Sequence, residues 1–186
     1  MYGLVNRAIE QLVSSVKGVD AWERVRDRAG VGDDGFVAMC PYHDDLTYAL
    51  VGAASEEMGI TAAEVLEAFG AYWILYTAEE GYGELMQVAG NDLRSFLCSL
   101  NDLHGRVETV FPEMRLPQFR VVDIGPGEYW LHYESERQGL APMVTGLVKG
   151  LAQRFGRRVT VEHLPGCPHG GSVEVFRIRD DQAAAP

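Results

Sequence analysis

The chain has 186 residues, 47% hydrophobic and 23% charged, enough for one domain with a sizeable core and no disulfide staples. Its net charge of −11 argues against sequence-independent binding to nucleic acid or to an anionic membrane, both of which attract basic surfaces. No apolar run reaches the ~20 residues of a membrane span, and MYGLVNRAIEQLV carries Arg7, Glu10 and Gln11, unlike a signal peptide. Cys40, Cys98 and Cys167 are too few and too scattered for a disulfide framework, so a cytoplasmic protein is predicted.

Leu4, Val5, Ala8, Ile9, Leu12, Val13 and Val16 recur at helical spacing and stop at Gly18, which predicts a first helix. Asp20 and Glu23 read as a capping box opening a short second helix to Arg28. After a Gly/Asp-rich loop a helical pattern runs from about Asp45 to Met58. Thr61 and Glu64 form another capping box, before a helix whose apolar face is Val65, Leu66, Phe69, Tyr72, Trp73 and Tyr76. Asp92–Val110 is the next helix, ended by Pro112.

There the period changes. FRVVDI reads as a short strand, GPG as a turn, and EYWLHYES alternates strictly. Pro142 opens a helix over about Leu140–Phe155, which Gly156 closes. RRVTVEHL and SVEVFRIR flank the turn cluster PGCPHGG, and the end of the chain, from about residue 180, is expected to be a disordered tail. Helices first and a small antiparallel sheet second is an α+β order, in a single domain over 1–186.

Two sets of residues suggest chemistry. His104 lies four, seven and eight residues after Leu100, Leu97 and Phe96, so it shares their side of the helix and points inward. A histidine on an apolar face is commonly a core residue satisfied by one hydrogen bond; the sharper reading is a metal ligand, haem iron above all. In HYESERQG, Tyr133, Ser135 and Arg137 share one parity of a strand. A phenol, a hydroxyl and a guanidinium on one face suit paired carboxylates such as the haem propionates. A half-exposed strand face of mixed polarity is the plain alternative.

MYGLVNRAIE, the inward His104, RLPQFRV and the Tyr-x-Ser-x-Arg motif at Tyr133–Arg137 together resemble the H-NOX family, the haem nitric oxide/oxygen-binding domains that include the sensor of soluble guanylate cyclase. The resemblance covers Met1 to about Arg179. It implies one haem b per chain, His104 as the axial iron ligand, and Tyr133, Ser135 and Arg137 as the propionate clamp. It also implies that Pro117 presses the porphyrin out of plane, and it maps Val5, Ile9, Trp73, Thr77, Pro142 and Met143 onto the distal pocket. Oxygen-binding members place a tyrosine five residues after the motif arginine; here that position is Pro142, which carries no donor. Bound O₂ needs such a donor and NO does not, so NO and CO are the expected ligands, with an oxygen-binding member as the alternative.

The resemblance further implies a sensor rather than an enzyme. NO would release His104, and the signal would pass in trans to a histidine kinase or to a cyclic-di-GMP synthase or phosphodiesterase. A haem enzyme would need a distal acid–base pair, which these residues do not supply. A zinc or thiol redox site at His163, Cys167 and His169 is the remaining alternative; one cysteine and two histidines make no compact four-ligand set, so zinc is not expected. Cys98, six residues before His104, is expected to pack inside.

Overall fold

Glycine sets the first corner. Helix α1 (Gly3–Lys17) ends where Gly18 takes φ +89°, and α2 (Val19–Arg28) starts at the next residue with the same Gly18 as its N-cap. Asp20 and Glu23 therefore form no capping box, because Asp20 already lies inside the first turn. Helix α3 (Asp44–Met58) stops at left-handed Gly59. Helix α4 (Ala62–Tyr72) does open on a capping box: Thr61 Oγ1 accepts the Glu64 N–H at 3.2 Å, and Glu64 Oε2 accepts the Thr61 N–H at 2.8 Å. A short π-helix, Trp73–Thr77, continues it. The wider π turn shifts the helical register. Tyr76, expected on the apolar face, is instead 55% exposed and stacks on Tyr72 at 4.7 Å.

The computed structural model describes residues 1–77, 86, 89–164 and 173–182. Its next helix, α5 (Leu93–Val110), is capped by Asp92, whose carboxylate accepts the Ser95 N–H at 2.9 Å. Strands β1 (Gln118–Gly125) and β2 (Glu128–Glu134) form a hairpin, α6 (Ala141–Arg154) follows with Pro142 in its first turn, and β3 (Val159–Leu164) and β4 (Val173–Asp180) complete the sheet. The order is β1-β2-β4-β3, antiparallel throughout. The pairs Phe119–Tyr133, Leu131–Phe176 and Val161–Ile178 place the apolar residues on one face. This is the α+β architecture the chain order predicts. The sheet runs through Asp180, and the Asp181 N–H bonds Arg158 O at 3.0 Å; residues 183–186 lie outside the described residues.

Two apolar cores result. One joins α1–α4 through Ile9, Val13, Val25, Leu50, Val65 and Phe69; the other joins α5, α6 and the sheet through Phe96, Leu131, Val148, Leu151, Phe176 and Ile178. Helices α4 and α6 weld them together. A Cβ on Gly146 would sit 1.9 Å from Glu67 O, and one on Gly70 2.2 Å from Met143 O, so only glycine permits this approach. No single helix among the described residues is long and apolar enough to cross a membrane.

Candidate functional site

A cavity of about 300 Å³ opens where the two cores meet. One wall is apolar, built from Val5 of α1, Trp73 and Ile74 of the π-helix, and Met143 and Leu147 of α6. The opposite wall carries the α5 stripe Phe96, Leu97, Leu100, Leu103, His104 and Val107, whose three- and four-residue spacing aims every member inward. Cys98 falls off that stripe and is exposed, contrary to expectation.

His104 is fixed by the backbone. Its Nδ1 lies 2.8 Å from Pro117 O, an acceptor only, so Nδ1 carries the proton and Nε2 keeps its lone pair. Burial pushes the His104 pKa below the usual histidine value, against smaller upward pulls from that hydrogen bond and from Glu108. A neutral imidazole on a cavity wall, with no partner for Nε2 among the described residues, is the form a metal ligand takes.

At one end of the cavity stand Tyr133, Ser135 and Arg137. Alternation predicts all three on one strand face, but only Tyr133 is in β2. The strand stops at Glu134, opposite Gln118, the first residue of β1. Ser135 and Arg137 lie in the following loop, which Ser135 tightens by accepting the Arg137 N–H at 3.1 Å. The three side chains still converge on the same cavity. Burial raises the Tyr133 pKa, with Ser135 and Arg137 acting in the opposite direction, so the phenol stays protonated and able to donate.

Arg137 has partners that the sequence does not announce. Its Nε donates to Asp44 Oδ2 at 2.8 Å and its Nη1 to Arg115 O at 2.8 Å. Asp44 opens α3, 93 residues earlier, and its carboxylate also receives the Met1 amine. Burial would raise the Asp44 pKa, but the amine and Arg137 hold it below the usual carboxylate range. Phe119 also went unread; its ring lies 5.8 Å from the His104 ring and 5.4 Å from that of Tyr133.

Of the other expected residues, Pro117, Val5, Trp73 and Met143 line the cavity. Ile9 does not; it is fully buried one turn further along α1, in the helical core. Pro142 does not either, since the inward stripe of α6 is Leu140, Met143, Val144 and Leu147, and Pro142 sits beside it. The Thr77 side chain lies outside the described residues, as do Cys167 and His169. His163 is engaged on the sheet, 2.7 Å from Glu174 and stacked on Phe176 at 5.0 Å. No cluster of three or more His, Cys, Asp or Glu suited to a metal ion occurs among the described residues.

A free imidazole nitrogen, apolar walls and a cluster of donors at one end fit haem, which needs an iron ligand, a greasy slot and partners for two carboxylates.

Residues 2–163 match the family model described as Haem-NO-binding. The chain is 35% identical over 159 residues to soluble guanylate cyclase gcy-35 of Caenorhabditis elegans, a match covering 83% of this chain and 23% of the relative. The chain thus spans less than a quarter of that protein's length. Its fold superposes with a TM-score of 0.86 on a triple mutant of an H-NOX protein from S. oneidensis in the Fe(II) ligation state, at 21% identity, covering 98% of this chain and 97% of that one. An unliganded Fe(II) H-NOX protein from K. algicida gives 0.84 at 18% identity, covering 100% of both. Fold and family define a haem-binding sensor domain rather than a catalytic one. The chain belongs to the Haem-NO-binding, or H-NOX, family.

Proposed function

We propose that the chain is a nitric oxide sensor that binds one haem b through His104. The observation that carries this reading is the His104 ring, held by Pro117 O with its other nitrogen free on the cavity wall. Ferrous haem, when bound, would supply a metal able to take up NO, with His104 as its protein ligand. Tyr133, Ser135 and Arg137 would hold the carboxylates, and the α5 stripe and Pro117 would pack against the macrocycle. Val5, Ile74, Met143 and Leu147 exclude water and offer no hydrogen bond, which favours NO and CO over O₂. Trp73, with its indole N–H, is the member of that wall able to donate, and Tyr2, with its phenol, also lines the cavity.

Release of His104 would free α5, and the signal would pass in trans to a histidine kinase or a cyclic-di-GMP synthase or phosphodiesterase in the cytoplasm. A guanylate cyclase as the output is the second reading, favoured by the 35% identity to part of a soluble guanylate cyclase. The test is the absorption spectrum of the ferrous protein alone, with NO, with CO and in air. NO and CO spectra without a stable oxy form are expected. A persistent oxy spectrum that Trp73→Phe abolishes would overturn the gas assignment, and a purified protein that takes up no haem would overturn the whole reading.

A further inference from the structure

Helix α5 is tied to the edge of the sheet at three places. Arg94 Nε donates to Asp123 Oδ1 at 2.7 Å, but these side chains are 51% and 57% exposed, so water screens the pair. His104 meets Pro117 O at 2.8 Å. Between them Asn101, also exposed, uses both ends of its amide on one backbone unit: Nδ2 donates to Phe119 O at 2.7 Å, and Oδ1 accepts the Phe119 N–H at 2.9 Å. Strand β1 is an edge strand, so Asn101 stands where a neighbouring strand would otherwise pair.

Burial divides the helix at this point. Leu93, Phe96 and Leu97, before Asn101, are at most 4% exposed, whereas after His104 every residue but Val107 is exposed, through Val110 at 68%. Gly105, directly after His104, has open space around it and is a weak helix former. Asn101 and His104 are three residues apart and so share one side of α5, two rungs on the same ladder to β1. Phe119, whose backbone Asn101 grips, carries the ring between His104 and Tyr133.

We propose that Asn101 is the pivot of α5: when His104 is released, Asn101 keeps the buried part of the helix in register on β1, and residues 105–110 swing about it. This rests on His104 being the group that is released. Asn101 acts as a positioning residue; it fixes where motion begins.

Hydrogen–deuterium exchange of the ferrous protein with and without NO tests it, on wild type, Asn101→Ala, Asn101→Asp and Arg94→Ala. In wild type NO should raise exchange over 105–110 and leave 93–101 and the start of β1 unchanged. In Asn101→Ala the NO-induced rise should spread into 93–101 and β1, about tenfold for each hydrogen bond lost. Asn101→Asp, which keeps the acceptor and loses the donor, should be intermediate, and Arg94→Ala should behave as wild type. The pivot is refuted if Asn101→Ala confines the rise as wild type does, if its exchange rises equally without NO, or if Arg94→Ala spreads it as well. Should wild type take up no haem or NO, the sensor reading fails separately. His104→Ala in the haem-free chain then stands in for release, with the same boundary at Asn101 expected and the same spread on adding Asn101→Ala.

Discussion

The two walls of the cavity are built on different principles. The wall of α1, the π-helix and α6 is apolar, and Val5, Ile74, Met143 and Leu147 offer an occupant shape and dryness alone. The opposite side supplies His104, Tyr133, Ser135 and Arg137, each held by a backbone or side-chain partner. Such a division separates two tasks. On the proposed reading, retention of haem would depend on directional bonds from one side, and choice of gas on what the other side withholds. Substitutions on the two walls should therefore fail in different ways.

The largest effect is expected at His104. His104→Ala should leave the protein without haem after purification, and free imidazole in the growth medium should restore uptake, as read from the Soret absorbance per chain. A variant with the wild-type ferrous spectrum would make His104 a core residue and erase the contrast between the walls. Arg137→Ala comes next. A hydrogen bond to a charged group contributes ~1.5–3 kcal/mol, so haem transfer to an acceptor protein should quicken roughly 10–100-fold. Asp44→Asn keeps an acceptor for Arg137 Nε and should have a smaller effect. Arg24→Ala, an exposed arginine paired with Glu57, is the control, and equal loss rates there would remove Arg137 from the site.

Gly146→Ala sharpens the comparison from the other side. The added methyl would meet Glu67 O at 1.9 Å and force α4 from α6, moving Trp73 relative to Met143 while leaving the donor wall in place. Overpacking of this kind costs ~1–3 kcal/mol, a fall in melting temperature of about 2–10 °C for a chain this size. Thermal unfolding should show that fall while haem content stays near one per chain and NO dissociation changes. Loss of haem in this variant would mean that the apolar wall also retains it.

The residues show which features a sequence can disclose. The α5 stripe was legible because helical spacing is local, and it placed His104 among Phe96, Leu97 and Leu100 correctly. The Thr61–Glu64 cap was legible for the same reason. The misplaced Ser135 and Arg137 show the limit. Alternation continues past Glu134, but the strand ends there, opposite the first residue of β1. No local signal carries that. Asp44 lies 93 residues from Arg137, and the π turn that moves Tyr76 outward leaves no periodic mark. Pro142 and Met143 were both placed by resemblance, and the phase of α6 puts Met143 but not Pro142 on the cavity.

Pro117 joins the two questions, since one residue holds His104 through its carbonyl and lines the cavity with its ring. Pro117→Ala separates these roles, because alanine keeps the carbonyl and loses the ring. If the ring strains the occupant, its removal relaxes that strain without releasing His104. A ligand shifts a two-state equilibrium only by its difference in affinity for the two states, so a substitution that removes strain from one state should shift it in the same direction. The ferrous variant, without NO, is then expected to move part of the way toward the NO-bound exchange pattern and partner response. The effect should be smaller than that of any change above, because haem and fold are both retained. Comparing the ferrous wild type, its NO complex and ferrous Pro117→Ala decides it. If the unliganded variant matches unliganded wild type in both exchange and partner activity, the ring is only packing, and release of His104 carries the signal alone.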